Sequence, residues 1–185
     1  QIVRDAREHG VEVRPVCVNR SRWDCTLEPA EKEGCLAVRL GLRLVKGLGN
    51  EEMGKFLAAR GEEPFASVDD LWRRTELPSD ALVRLAEADA FRPSLGLARR
   101  EALWAIRGLR DEPLPLFSAA AEREAAIVPE MTEPLVALRP MVAGGEVVED
   151  YGRVGLTLRA HPVSFLRENL ARRRILTCAA ATRLK

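Results

Sequence analysis

The stretch Gly47-Leu48-Gly49 constrains this chain more than any other. It sits in the pattern Leu42-x-x-Val45-x-Gly47-Leu48-Gly49, followed by Met53 four residues on and by the pair Phe56 and Leu57. Two glycines one residue apart let the backbone reverse in a tight hairpin with positive φ, and they leave no side chain in the way of an approaching group. Leu48 between them is expected to point inward and anchor the turn. The N–H groups of such a hairpin, beside the start of a helix, form a concavity suited to an anion. Lys46 adds a charge-assisted contact to a phosphate, and Arg43 and Asn50 flank the same turn. Contacts of this kind carry no base information, so binding of duplex DNA here is expected to be sequence-independent and sensitive to salt. Glu51 and Glu52 count against phosphate docking unless they point away. The plain alternative is a turn that ends one helix and starts another.

The flanking sequence reads mainly as helix. Residues 50–60 have Asn50 as a candidate cap, Glu51 and Glu52 in the positive first turn, and Met53, Phe56 and Leu57 on one face. Gly61 ends this helix. Ser67-Val-Asp-Asp70 has capping spacing and opens a helix with Val68, Leu71 and Trp72. Residues 81–88 follow, with Leu82, Leu85 and Ala86 inward, across a turn at 75–79 that holds Leu77 and Pro78 but no glycine. These two helices form a second, degenerate hairpin. Residues 97–109 are expected to bury Leu103, Trp104 and Ile106. Residues 144–153 and 161–174 make two further helices, with Pro162 at a first turn. Alternating Val11, Val13, Val16 and Val18 argue for a short extended segment. Residues 35–45 fit either a strand leading into a turn or a short helix. Residues 1–10 read as the last turns of an amphipathic helix that Gly10 stops, as if the chain were cut from a longer one. The Leu42–Ala58 pattern resembles the first motif of a helix-hairpin-helix unit, so the expected fold is mainly α, with a tandem helix-hairpin-helix unit over 39–110 preceded by a short β-containing segment over 1–38. A Pro-rich linker or strap over 111–133 leads to a C-terminal helical extension over 134–185.

Charge narrows the partner only locally. The formal net charge is +1, yet residues 39–60 carry +3, 71–110 carry +3, 111–151 carry −7 and 152–185 carry +7. A basic footprint for DNA lies within the hairpin blocks, whereas the opposed C-terminal blocks suit partner recognition or mutual attraction. Cys17, Cys25, Cys35 and Cys178 lack the close pairing of zinc ligands and suit a reducing, cytoplasmic compartment. No apolar run approaches a membrane span. Asp69 and Asp70, about twenty residues beyond Gly49, invite comparison with a glycosylase catalytic Asp, but helix capping explains them. The remaining rival to DNA binding is a protein-interaction or packing module.

Several runs resemble the family C bacterial DNA polymerases: residues 5–19, Trp23-Asp-Cys-Thr-Leu-Glu28, Val38-Arg-Leu-Gly-Leu-Arg-Leu-Val-Lys-Gly-Leu-Gly49 and Pro64-Phe-Ala-Ser-Val-Asp-Asp-Leu71. Residues 85–91, 99–109 and 148–166 are similar to the error-prone, damage-induced version of the alpha-type subunit. The resemblance covers essentially the whole chain. It implies a segment running from the end of the fingers, through tandem helix-hairpin-helix motifs, toward an oligonucleotide-binding fold that Arg174-Ile-Leu-Thr-Cys178 approaches. It implies that the Mg2+-binding aspartates of the parent polymerase lie before Gln1. This segment then has no catalytic or metal-ligating residue of its own, needs no cofactor, and is inactive alone. Its part is to hold primer–template duplex during translesion synthesis and repair. Pro113-Leu-Pro-Leu-Phe117 resembles the sliding-clamp-binding pentapeptide of replicative relatives, with Leu114, Leu116 and Phe117 as the contacts and Pro113 where those have Gln. The weakened motif fits a polymerase that reaches the clamp through an adaptor protein. Cys17 stands where the family has Asp.

Overall fold

The computed structural model describes residues 2–32, 34–109 and 138–183. Helix α1 (Ile2–Glu8) leads through Gly10 into strand β1 (Val13–Arg14), and β2 (Thr26–Pro29) and β3 (Leu36–Arg39) complete a small sheet. Its order is β1-β3-β2, with β1 parallel to β3 (Val13 opposite Val38) and β2 antiparallel to it (Leu27 opposite Val38). Both readings left open for residues 35–45 are realised in turn: the strand ends at Arg39, and a 3-10 turn occupies Leu42–Leu44. Gly41 separates them because backbone fills the space a side chain would need; a Cβ there would lie 2.4 Å from the Trp23 carbonyl oxygen.

Five helices follow: α2 (Asn50–Arg60), α3 (Val68–Thr75), α4 (Ser79–Glu87), α5 (Arg92–Leu95) and α6 (Arg99–Arg107). Ser67 caps α3 as its spacing requires, its Oγ accepting the Asp70 N–H at 3.0 Å, while Asp70 Oδ2 accepts the Ala66 N–H. Met53, Phe56, Leu71, Leu82, Leu85, Phe91 and Ala102 are buried in one core. Phe56 and Phe65 pack with ring centroids 5.3 Å apart, and the Arg74 guanidinium lies over Phe65 at 4.7 Å. The same Arg74 donates to the carbonyls of Ala59, Arg60 and Glu63, closing the end of α2. The helical core continues into the segment before the sheet's last strand. Val16 and Val18 belong to it, Asn19 exchanges two hydrogen bonds with Phe65, and the Val18 N–H donates to Ala90.

Trp104 is not in the core. It is 58% exposed, whereas Ala102 and Ile106 are buried. The true start of α6 at Arg99 sets the phase of the helix, turning Ala102 and Ile106 inward and Trp104 to solvent. Beyond the undescribed stretch, α7 (Ala143–Arg153) packs with Val147 buried. The helix expected over 161–174 is instead a 3-10 turn (Pro162–Leu166) followed by α8 (Arg167–Arg172); a last turn, α9, spans Cys178–Ala181. Local bonds explain the difference, since His161 Nδ1 accepts the Val163 N–H and Ser164 Oγ donates to the His161 carbonyl. The strap over 111–133 lies outside the described residues, as do Leu114, Leu116 and Phe117.

Candidate nucleic-acid interface

The first hairpin runs from Val45 to Asn50. Gly47 takes φ of 84°, the left-handed conformation its position demands. Gly49 does not: its φ of −87° and ψ of 143° are extended, and it serves as the N-cap residue of α2. Asn50, expected as that cap, is already the first helical residue and its side chain caps nothing. Leu48 is half-buried against the core, as an anchor should be. Lys46, Gly47, Gly49 and Asn50 are exposed.

Among the described residues the N–H groups of Gly47 and Gly49 meet no protein acceptor. The first N–H groups of α2 have none within the helix, by its geometry. Unpartnered donors at Gly47 and Gly49 therefore lie at the turn, beside the bonded N–H groups of Lys46 and Leu48. Around it the charges are mixed. Arg84, on α4, donates through Nη1 to the Gly47 carbonyl at 2.5 Å and pairs with Asp80 at 3.2 Å. Nothing local in the sequence marks Arg84 as a hairpin residue, because it lies 37 positions downstream. Lys46 is engaged with the end of α7, its N–H donating to the Arg153 carbonyl at 2.9 Å and its Nζ to the Tyr151 carbonyl at 3.3 Å. A cation against helix C-terminal carbonyls is favourable in itself. Arg43 pairs with Asp24 at 2.6 Å. Glu51 extends toward Lys55, but Glu52 turns back, with Oε2 3.6 Å from where a Gly49 Cβ would be.

The second hairpin repeats this backbone without the same chemistry. Glu76 takes the left-handed position with φ of 51°, Leu77 is the buried anchor, and Pro78 is the extended N-cap of α4. Pro78 has no N–H to offer, and Glu76 and Asp80 place carboxylates at the exposed turn. A third turn has the same form. Gly96 (φ 71°), half-buried Leu97 and the extended cap Ala98 lead into α6. The sequence pattern Gly96-Leu97-Ala98 was its local signal, overlooked because the helix was read as starting at Leu97 itself.

The unit is completed by an ion-pair cluster between α6 and α7. Arg99, 3% exposed, bonds to the Glu87 carbonyl, Glu146 and Asp150. Arg159 joins Asp150 at 2.7 Å and Asp89 at 2.7 Å, and Arg92 reaches Asp89 and Glu146. Burial lowers the charged form's advantage at Arg159 and Arg92, yet their carboxylate partners outweigh it and raise both pKa values. Among the described residues no three His, Cys, Asp or Glu side chains come together as metal ligands. No helix among them is long and apolar enough to cross a membrane.

Residues 10–102, half of the chain, match the helix-hairpin-helix motif family. The whole chain is 69% identical to Error-prone DNA polymerase 1 of Agrobacterium fabrum, and 98% of it is 65% identical to Error-prone DNA polymerase 2 of Rhizobium meliloti; it spans 17% of the length of each. A relative from Mesorhizobium japonicum, Error-prone DNA polymerase, is 46% identical over 93% of the chain. On the hairpin geometry and these matches together, the chain belongs to the helix-hairpin-helix family and, in sequence, to the error-prone DNA polymerases.

Proposed function

We propose that this segment is a sequence-independent grip on duplex DNA within an error-prone DNA polymerase. One observation carries the reading: the exposed turn Lys46–Asn50, whose Gly47 and Gly49 N–H groups meet no acceptor among the described residues at the start of α2. Backbone donors of this kind meet phosphate oxygens and ignore base identity. Lys46 keeps donor capacity beyond its contact with Tyr151, since an ammonium has three protons. The second hairpin, with Pro78 and Glu76, packs rather than binds. Translesion synthesis and repair in the cytoplasm are the setting, the primer–template duplex the ligand, and Mg2+-dependent nucleotidyl transfer the work of the longer polypeptide. Leu114, Leu116 and Phe117 are a weak clamp-like element that leaves clamp contact to an adaptor protein.

The test is fluorescence anisotropy of a labelled primer–template duplex titrated with the chain at two salt concentrations, beside Lys46→Ala and Gly47→Ala. Binding that weakens with salt and in both variants supports the grip. Duplex binding that neither variant alters refutes the hairpin as the contact. Absence of binding at low salt favours the packing reading, which the Lys46–α7 and Arg43–Asp24 contacts make the stronger alternative.

A further inference from the structure

The outward face of α6 has no part in the hairpin grip, yet it is built like a contact surface. Trp104 stands 58% exposed, with Arg100 four residues before it and Arg107 three after it. That spacing places all three side chains on one side of the helix, over about 10 Å of its length. Arg139 adjoins them, its carbonyl accepting from Arg100 Nη1 at 2.8 Å. Among the described residues none of these three arginines reaches a carboxylate. The arginines of the hairpin and of the α6–α7 cluster, by contrast, are each paired: Arg84 with Asp80, Arg99 with Asp150, Arg153 with Glu87. Glu101, the acidic residue within α6, is turned to the helix start, where its Oε2 accepts the Ala98 N–H at 2.7 Å.

A large exposed indole among uncompensated guanidinium groups matches the chemistry of unpaired nucleotides. A base offers a π-face to the indole whatever its identity, and the flanking phosphates offer charge to the arginines. A duplex offers phosphates but no free base face, because its bases are already stacked on one another. We propose that the Arg100–Trp104–Arg107 face of α6, with Arg139, is a stacking platform for single-stranded DNA, separate from the duplex grip at Lys46–Asn50. A strand crossing this face stacks one base on Trp104 and lays the phosphates on either side against Arg100 and Arg107.

The probes are a labelled oligothymidylate, which has little structure of its own, and an abasic deoxyribose-phosphate oligomer of the same length and charge. The chain is expected to bind the oligothymidylate about tenfold more tightly than the abasic strand, the effect of one stacked base. Trp104→Ala erases that preference, whereas Trp104→Phe keeps most of it. Arg100→Gln and Arg107→Gln weaken both ligands and each lower the salt slope by about 0.7. Gly47→Ala leaves the base-dependent preference intact, which separates this site from the hairpin. Melting curves of the Trp104, Arg100 and Arg107 variants check the fold, and because those side chains are exposed the midpoints stay near that of the parent. Equal affinity for the two oligomers, no binding of either at low salt, or a Trp104→Ala chain that still prefers bases would each overturn the proposal. So would loss of the preference in Gly47→Ala.

Discussion

Glu76 holds in the second hairpin the left-handed backbone position that Gly47 holds in the first, with φ of 51° against 84°. Each is followed by an apolar anchor and an extended N-cap residue, Leu77 and Pro78 in one case, Leu48 and Gly49 in the other. A side chain in that conformation costs about 1 kcal/mol. Glu76→Gly removes the strain and gives back part of the gain as unfolded-chain entropy. The expected net is a stabilisation of about 0.5 kcal/mol, a rise of about 1–2 °C in calorimetric Tm. A lower Tm would mean that Glu76 makes a compensating contact.

Gly47→Ala and Gly49→Ala separate the two glycines that the sequence presents as equivalent. At Gly47 the left-handed φ alone costs about 1–2 kcal/mol. A Cβ there also meets Arg84 Nε at 2.9 Å, so the guanidinium must shift and its bond to the Gly47 carbonyl is disturbed. At Gly49 the backbone is extended and the nearest atom is Glu52 Oε2 at 3.6 Å, so the loss is that of a poorer N-cap, about 0.5 kcal/mol. Urea denaturation should rank Gly47→Ala below Gly49→Ala; the reverse order contradicts the geometry.

How much of this was legible in the sequence differs element by element. Helices α2, α3, α4 and α7 were readable because periodic apolar residues and local caps such as Ser67 act within one turn. The hairpin at Gly47 was readable because glycine takes a left-handed turn before an apolar anchor at the least cost. Its twin at Glu76 was half-hidden, since the structure imposes the same conformation on a residue that does not advertise it. Trp104 was misjudged because composition favours a tryptophan indoors, while the phase of α6 is fixed by Glu101 closing onto Ala98. The partners of Lys46 and Gly47 were beyond reach. Tyr151 and Arg84 come to them through tertiary packing that no local pattern encodes.

The acidic segment of α7 is held by Arg99, Arg159 and Arg92, of which Arg99 is the most buried. Arg99 is 3% exposed and spans Glu87, Glu146 and Asp150. Arg99→Ala leaves Asp150 and Glu146 with less compensation in a poorly solvated place, at a cost of about 3 kcal/mol. The loss should be local as well as global. Hydrogen exchange over residues 143–153 is expected to quicken more than exchange in α2. Equal changes in both would show that α7 and the hairpin unit unfold as one.

Glu52 offers a gain-of-binding test of the duplex grip. Its carboxylate folds back beside Gly49, where an incoming phosphate would meet it. Glu52→Gln removes that repulsion, at some cost in favourable charge at the start of α2. Duplex affinity at low salt should rise by about threefold, with the difference shrinking as salt screens it. An unchanged affinity would place the phosphate contact away from Gly49.

Acid should loosen the sheet before it loosens the helices. Burial opposes ionisation of Glu28, but hydrogen bonds from Arg14 at 2.9 Å and Arg39 at 2.5 Å outweigh it and hold its pKa below the ordinary 4.5. Glu12 is lowered in the same sense by its bond from Arg14 and by the Glu31 N–H. A carboxyl with a depressed folded pKa binds protons more readily when unfolded. Its contribution is therefore complete above the unfolded value of about 4.5, and it is lost as pH falls through the folded value. Glu28→Gln removes its share at every pH, leaving the nearly buried Arg39 without a counter-charge, at a cost of about 2 kcal/mol near neutrality. Urea midpoints measured from about pH 7 down to about pH 3 should fall steeply for the parent and more gently for Glu28→Gln, the two curves converging at the acid end. Parallel curves would show that Glu28 does not carry the acid sensitivity.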